Sequence, residues 1–343
     1  MNDRQIKAWL CENNIEKLKE LFTLADKIRK KNVGDSVHLR GLLEISNYCV
    51  RKCTYCGINI KNKNIERYRM NAEEIFTAAQ KTEKLGYGTI VMQAGEDYGI
   101  KAAWLAEIIK KIKTETKLAV TLSLGERTLA ELKMWREAGA DRYLLRFETS
   151  NAKLYAKIHP VKDGEEKSDR IAILKNLRSL GYEIGSGIMI GIPGQSFDDL
   201  TNDILLFGKL DLDMIGVGPY ILHPNTDLAK ENFALNDEQV PNSEIMTYKM
   251  IALARIICPN ANIPATTALA TLNKSFGREN ALTRGANVVM PNVTEPVYRM
   301  KYQLYPDKAC INETAEECQN CMNLRIEAIG RHVGRGAGAR KKS

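Results

Sequence analysis

The chain is predicted to be an α/β protein, a complete (β/α)8 TIM barrel with N-terminal helices and a C-terminal extension. Short apolar runs alternate with amphipathic stretches of helical period, which indicates parallel strands joined by helices. Glycine follows several of the helical stretches, as it does at many helix C-termini. The length of 343 residues suits one large barrel core. An open doubly wound sheet is the alternative arrangement of the same elements.

The first element is a pair of helices predicted within residues 3–32. Apolar residues such as Leu18, Leu21 and Ala25 recur there at helical spacing. The pattern then changes to strand–helix alternation. We therefore divide the chain into N-terminal helices at 1–36, a barrel at 37–295, and a C-terminal extension at 296–343.

Eight apolar runs are predicted to be the barrel strands, at residues 42–46, 89–93, 119–123, 142–147, 185–190, 214–220, 262–267 and 287–290. Amphipathic helices are predicted between them, including 72–85, 105–113, 129–138, 168–180 and 198–210. Polar residues follow many of the strands. Because active sites lie at the C-terminal ends of barrel strands, these residues predict a site at the barrel mouth.

The composition argues against a membrane-spanning or secreted protein. No apolar run approaches the roughly 18 residues of a membrane span, and the polar start lacks a secretory signal. A cytoplasmic protein with no membrane contact is therefore expected. The formal net charge is +8, and five basic residues fall in the last thirteen positions. This basic tail is expected to be a solvated end, and no nucleic-acid partner is predicted, because no nucleic-acid-binding module accompanies it.

A cysteine triplet, Cys49, Cys53 and Cys56, follows the first predicted strand. Closely spaced thiolates of this kind hold iron–sulfur clusters, and three of them leave one iron of a 4Fe–4S cluster open. The alternatives are a zinc site, which usually has four ligands, and chance. Arg51 and Lys52 add positive charge that would favour thiolates. The triplet predicts an open 4Fe–4S cluster at the barrel mouth.

This triplet, with Tyr55 just before the third cysteine, resembles the signature of the radical S-adenosylmethionine (SAM) superfamily. The resemblance implies that SAM binds the open iron and is cleaved by one electron to methionine and a 5′-deoxyadenosyl radical. It also implies that further residues contact SAM. These are Tyr55, Gly95, Glu96, Asp97, Glu148, Arg170 and Ile190.

A second triplet, Cys310, Cys318 and Cys321, lies in the C-terminal extension. Three cysteines suit an accessory iron–sulfur cluster, zinc with an outside ligand, or free thiols. A second iron–sulfur cluster is the predicted occupant.

From about Leu18 to Arg335 the chain resembles HydE-type maturases of FeFe-hydrogenase. Stretches that carry the resemblance include residues 66–70, 121–126, 141–146, 263–268, 285–292 and 298–305. The resemblance implies an internal cavity that takes an iron–carbonyl–cyanide–cysteine precursor of the H-cluster. It also implies two partner maturases, a scaffold GTPase and a tyrosine lyase, and a reductant such as flavodoxin or ferredoxin. The residues expected to line the cavity are Gln93, Thr121, Arg146, Thr266, Thr267, Met290, Arg299, Tyr302 and Tyr305.

Two positions depart from the HydE-type pattern. Ala94 and Phe147 stand where many such maturases have Ser and His, which would make the cavity less polar. A HydE-like paralogue, or a methylornithine-synthase-like mutase with an amino-acid-like substrate, therefore stays an alternative. An iron–sulfur carrier without catalysis is a third possibility, and it would leave the polar strand ends unexplained.

Overall fold

The computed structural model describes residues 1–161, 168–231 and 238–340. Its first two helices, α1 (Asp3–Cys11) and α2 (Ile15–Val33), confirm the predicted N-terminal pair. Each begins after an asparagine, Asn2 or Asn14, whose side chain accepts a hydrogen bond from a first-turn backbone amide. Both helices pack on the outside of the barrel.

The strands form one parallel sheet, which confirms the predicted α/β class. They are β1 (Ser36–Ser46), β2 (Thr89–Ala94), β3 (Ala119–Ser123), β4 (Arg142–Leu144), β5 (Glu183–Ile190), β6 (Met214–Pro219), β7 (Val288–Val289) and β8 (His332–Val333). Their order is β6-β5-β4-β3-β2-β1-β7, with β8 paired to β1. Consecutive strands are neighbours from β1 to β6, as right-handed strand–helix–strand units require.

Helices alternate with these strands. They are α3 (Ala72–Lys84), α4 (Ala102–Glu115), α5 (Leu129–Glu137), α6 (Ala152–Ile158), α7 (Arg170–Ser179), α8 (Phe197–Lys209), α9 (Asp227–Lys230), α10 (Glu244–Ile257), α11 (Thr267–Leu272), α12 (Gly277–Leu282), α13 (Pro296–Arg299) and α14 (Ala315–Ala328). Capping boxes begin α3, α5, α8 and α14. No helix among the described residues is both long and apolar enough to cross a membrane.

The predicted strand at 262–267 is not a continuous strand. Single parallel bridges join Met214 to Asn262 and Pro264 to Val288, so this stretch links β6 to β7 without a regular ladder. Pro264 has no amide hydrogen to donate, and Thr266 already serves as the N-cap of α11. The barrel-like fold is confirmed, but an unbroken ladder of eight strands is not.

The expectation of a solvated basic tail is wrong for residues 331–340, which lie across the N-terminal end of the barrel. The carbonyl oxygens of Ala337 and Gly338 accept hydrogen bonds from barrel side chains, namely Thr89, Arg142, Arg40 and Asn262. Gly88 permits this approach, since a Cβ there would stand 1.8 Å from the Gly336 carbonyl oxygen. Lys341 and Lys342 lie outside the described residues.

Candidate active site

The first cysteine triplet lies in the loop that follows β1, at the C-terminal end of the strands. None of its thiols forms a disulfide. The Val50 amide donates to the Glu96 carbonyl at 3.0 Å, which fastens the loop to the end of β2. Cys49 and Cys56 line a large internal cavity, and Cys53 lines a neighbouring pocket. The structure therefore brings the three predicted thiols together at the barrel mouth.

Burial dominates the protonation of these thiols. It raises the pKa of Cys49 and of Cys53, and it raises the pKa of Cys56 to about 12. The guanidinium of Arg170 opposes this shift at Cys53, and that of Arg67 opposes it at the other two. Iron binds cysteine as thiolate, so the cluster itself would supply the charge that stabilises these groups.

Arg51 contributes less positive charge to the thiols than its position in the loop predicts. Its Nε donates to Glu96 at 2.7 Å, and its Nη2 donates to Glu126 at the same distance. Both carboxylates are buried or nearly so, and they offset the charge of this guanidinium toward the thiols. The cations that favour the thiolates are thus Arg67 and Arg170.

The donor chemistry fits an iron–sulfur cluster. Among the described residues, no three Cys, His, Asp or Glu side chains converge closely enough to hold one metal ion. A 4Fe–4S cluster does not need ligands that converge on one ion, because each thiolate binds a separate iron. The three free thiols of this loop can each bind one iron of such a cluster.

The internal cavity has a volume of about 340 Å³. Its walls include eight of the residues predicted to contact substrate, Gln93, Thr121, Arg146, Thr266, Thr267, Met290, Tyr302 and Tyr305. They also include four of the residues predicted to contact SAM, Tyr55, Gly95, Glu148 and Arg170. Most of the predicted site thus faces one space, which the cysteine loop bounds at one end.

Arg299 was predicted to line this cavity, but in the structure it does not. Its guanidinium is buried and donates to four backbone carbonyls, those of Asn292, Thr294, Cys310 and Glu313. It therefore holds the C-terminal extension against the loop after β7. A sequence pattern does not reveal this role, because the partners are backbone atoms of distant segments.

Glu96 and Asp97 also face away from the cavity. The Asp97 carboxylate accepts two hydrogen bonds from Arg69, both at 2.8 Å, and one from Ser46 at 2.7 Å. These bonds lower the pKa of Asp97 although burial opposes the shift. Of the segment Gly95–Asp97, only Gly95 lines the cavity. A Cβ at Gly95 would stand 2.2 Å from the Tyr48 carbonyl oxygen, so this position needs glycine.

Ile190 was expected to contact SAM, but in the structure it does not face the cavity. It is fully buried in the core, whereas Met189 lines the cavity, because successive residues of β5 face opposite sides of the sheet. Met189 belongs to an apolar cluster with Ile192 and Tyr220, against which Tyr55 packs. This cluster, and not Ile190, gives β5 its apolar contact with the cavity.

Glu148 has a positive φ of 64°, which is uncommon for a residue other than glycine. Its carboxylate pairs with Arg146 at 2.9 Å and lies 3.5 Å from the Tyr55 hydroxyl. Strain of this kind is found at functional sites, where the surrounding structure holds it. Here it turns a carboxylate at the end of β4 into the cavity.

Arg170 connects the cavity to the pocket beside Cys53. Its Nε donates to Glu126 at 2.8 Å and its Nη1 to the Arg146 carbonyl at 2.7 Å, so Nη2 has no partner in the described part of the chain. Arg170, Ser168 and Arg51 hold the pKa of Glu126 low against the effect of burial. Glu126 was not among the predicted site residues, although it stands only three residues after the end of β3.

Unpartnered polar atoms in the cavity wall indicate a ligand. The hydroxyl of Thr121 and the Nε of Arg146 are buried without a hydrogen bond among the described residues. Buried polar groups are normally paired, so such atoms are costly unless a ligand or water pairs with them. Both belong to the residues predicted to contact substrate.

The two departures from the expected pattern have different surroundings. Ala94 lines the cavity. Phe147 instead lines the neighbouring pocket beside Cys53, and its ring packs on Phe207 with ring centres 5.8 Å apart. The inference that Phe147 makes the cavity less polar is therefore wrong.

One ionic pair in the wall was not predicted. Glu44 and Lys308 both line the cavity, both are buried, and they form a salt bridge. Lys308 also lines the pocket that holds the second cysteine triplet. Nothing local marks the pair, since its members stand 264 positions apart.

The second triplet shares one pocket of about 310 Å³. Cys318 and Cys321 lie one turn apart on α14, and Cys310 lies in the preceding segment with a positive φ of 60°. A hydrogen bond from Cys318 and the guanidinium of Arg278, whose Nη1 is 3.5 Å from the sulfur, lower the pKa of Cys310. The structure brings the three together in cationic surroundings.

Comparison with known proteins agrees with this site. A family model described as the radical SAM superfamily matches residues 43–207. The chain is 47% identical to the FeFe-hydrogenase maturase subunit HydE of Thermotoga maritima, over 94% of this chain and 89% of that one. It is 30% identical to 3-methylornithine synthase of Methanosarcina acetivorans, over 84% and 79%. A crystal structure of methylornithine synthase matches with a TM-score of 0.82 at 25% identity, covering 97% of this chain and 94% of that one.

Proposed function

The chain belongs to the radical SAM superfamily and, within it, to the family of the HydE maturase, and we propose that it acts in assembly of the FeFe-hydrogenase H-cluster. Its proposed substrate is a small iron–carbonyl–cyanide–cysteine species. The observation that carries the proposal is the internal cavity, in which the cysteine loop and the polar strand ends face one space. Such a space suits a small molecule that a few fixed polar groups orient.

When bound, the 4Fe–4S cluster and SAM supply a one-electron cleavage that yields methionine and a 5′-deoxyadenosyl radical. Cys49, Cys53 and Cys56 would hold the cluster. The Nη2 of Arg170 is available to the SAM carboxylate, as a charge-assisted hydrogen bond. The Glu148 carboxylate would accept hydrogen bonds from the SAM ribose or amino group.

The rest of the cavity would hold the substrate. Arg146 offers its unpartnered Nε to an anionic ligand such as a cyanide or a carboxylate, and Thr121 offers a hydroxyl. Gln93 is oriented by its hydrogen bond to the Tyr302 hydroxyl, 3.2 Å away. Fixed polar groups in an otherwise apolar cavity give orientation and specificity.

The second triplet is proposed to hold a second iron–sulfur cluster. Its shared pocket, the lowered pKa of Cys310 and the nearby guanidinium of Arg278 support thiolate ligands there. We also propose that the chain works with two other maturases, a scaffold GTPase and a tyrosine lyase. A flavodoxin or ferredoxin would supply the electron.

A methylornithine-synthase-like reaction is the second candidate. The 30% identity to that enzyme and the close match to its structure favour it, as does Ala94 in the cavity wall. An iron–sulfur carrier without catalysis is less well supported, because it would have no use for an internal cavity into which a few polar groups face.

The experiment is replacement of the endogenous maturase in a hydrogenase-producing host. We expect this chain to restore FeFe-hydrogenase activity, and Cys53→Ser at the first triplet to restore none. A chain that cleaves SAM in vitro but restores no hydrogenase would contradict the maturase role and favour the second candidate. A chain that neither cleaves SAM nor restores activity would contradict both.

A further inference from the structure

The residues on either side of Cys49 reach the protein surface. Tyr48 and Val50 are 42% and 40% exposed, whereas the residues next to the other two cysteines of the loop are buried or half-buried. Tyr98 is 50% exposed and lies beside them, because its hydroxyl and the Val50 amide both bond to Glu96. Cys49 thus marks the side of the cluster loop that meets solvent.

Positive charge faces outward around these apolar side chains. The side chains of Arg51 and Arg69 are 28% and 37% exposed. Their carboxylate partners are less exposed, at 3% for Glu96, 11% for Glu126 and 4% for Asp97. The Arg69 guanidinium also lies over the Tyr48 ring, 4.8 Å from its centre. A molecule that approaches this surface therefore meets guanidinium groups, with the carboxylates behind them.

We propose that this donor patch, formed by Tyr48, Val50, Arg51, Arg69 and Tyr98, docks an acidic protein that carries one electron to the cluster. The inference rests on the proposed function, because each SAM cleavage consumes one electron, which the carrier must replace as it is itself oxidised. Exposed aromatic and arginine side chains suit the centre of an interface with a carboxylate-rich partner. The small patch suits the small, transient interfaces of electron-transfer proteins.

The test compares two electron sources for the full chain with its reconstituted cluster, and 5′-deoxyadenosine is the measured product. One source is dithionite, and the other is an acidic 2Fe–2S ferredoxin kept reduced by NADPH and ferredoxin reductase. Val50→Glu puts a negative charge within the donor patch. It should lower the ferredoxin-driven rate about tenfold, because like charges would then face each other, and leave the dithionite-driven rate within about twofold.

Matched variants isolate the effect of charge. Val50→Gln has the length of glutamate without its charge and should keep both rates. Leu324→Glu adds the same charge at a 69% exposed position of α14 and should also keep both. Lys101→Glu, at the exposed start of α4 just after Tyr98, should lower only the ferredoxin-driven rate, about threefold.

Equal ferredoxin-driven rates for Val50→Glu and Val50→Gln would overturn the docking proposal. Parallel losses with both electron sources would also overturn it, because the substitution would then act on the cluster and not on docking. If the unaltered chain yields no 5′-deoxyadenosine with dithionite, the proposed function fails, and the docking proposal fails with it.

Discussion

The buried pair Glu44–Lys308 joins the C-terminal extension to strand β1 in the cavity wall, and its contribution to stability can be measured. The Glu44 side chain is 1% exposed and that of Lys308 is 5% exposed, so replacing either one leaves the other as a buried charge without its partner. Breaking such a pair costs about 3–5 kcal/mol. Glu44→Gln and Lys308→Met should each destabilise the chain by this amount. The double variant, which buries no charge, should lose only about 1 kcal/mol.

These free energies convert to measurable melting shifts. With 343 residues and about 2.1 cal/mol/K of unfolding entropy per residue, the total is about 0.7 kcal/mol/K. Each single variant should therefore melt about 4–7 °C below the unaltered chain, and the double variant within about 2 °C of it. Anaerobic thermal unfolding followed by circular dichroism measures this. Shifts below about 1 °C for the single variants, or additive losses in the double variant, would refute the reasoning.

Two further predictions concern stability. Burial raises the pKa of Asp203 to about 7, so the folded chain keeps a proton that the unfolded chain releases near its ordinary value of 3.8. The residue therefore lowers stability progressively as the pH rises from about 4 to about 7, and Asp203→Asn should raise the melting temperature more at pH 8 than at pH 5. An equal gain at both pH values would contradict this. Gly187→Ala should lower the free energy of unfolding by about 1–3 kcal/mol, because the added Cβ would stand 1.8 Å from the Gly216 carbonyl oxygen. Gly208→Ala, whose Cβ would meet only the Ile257 side chain at 3.1 Å, is the control and should stay within about 1 kcal/mol of the unaltered chain on urea unfolding.

Local patterns were enough to predict most of the elements and the cluster loop. Strand β3 lies where its apolar run predicts it, and α3 begins at the predicted residue, Ala72. The spacing of Cys49, Cys53 and Cys56 is itself local, so the loop could be predicted without its surroundings. Polar strand ends identified the cavity wall because parallel strands place their C-terminal ends together.

The features that sequence analysis missed depend on contacts between distant segments. Arg299 carries the charge of a ligand-binding residue, but its partners are carbonyl oxygens that only the folded chain brings near. The basic tail looked solvated because a tail of glycine and arginine has no apolar face to indicate burial. Ile190 was assigned instead of Met189 because the strand pattern does not say which face of β5 turns toward the cavity.

The central claim is that the loop of Cys49, Cys53 and Cys56 supports reductive cleavage of SAM. Its most direct test is anaerobic reconstitution with iron and sulfide, addition of SAM and dithionite, and measurement of 5′-deoxyadenosine. The unaltered chain and Cys318→Ser should both form it, whereas Cys53→Ser should form none. A reconstituted chain that holds its cluster and yields no 5′-deoxyadenosine would contradict the claim, as would equal losses in the two variants.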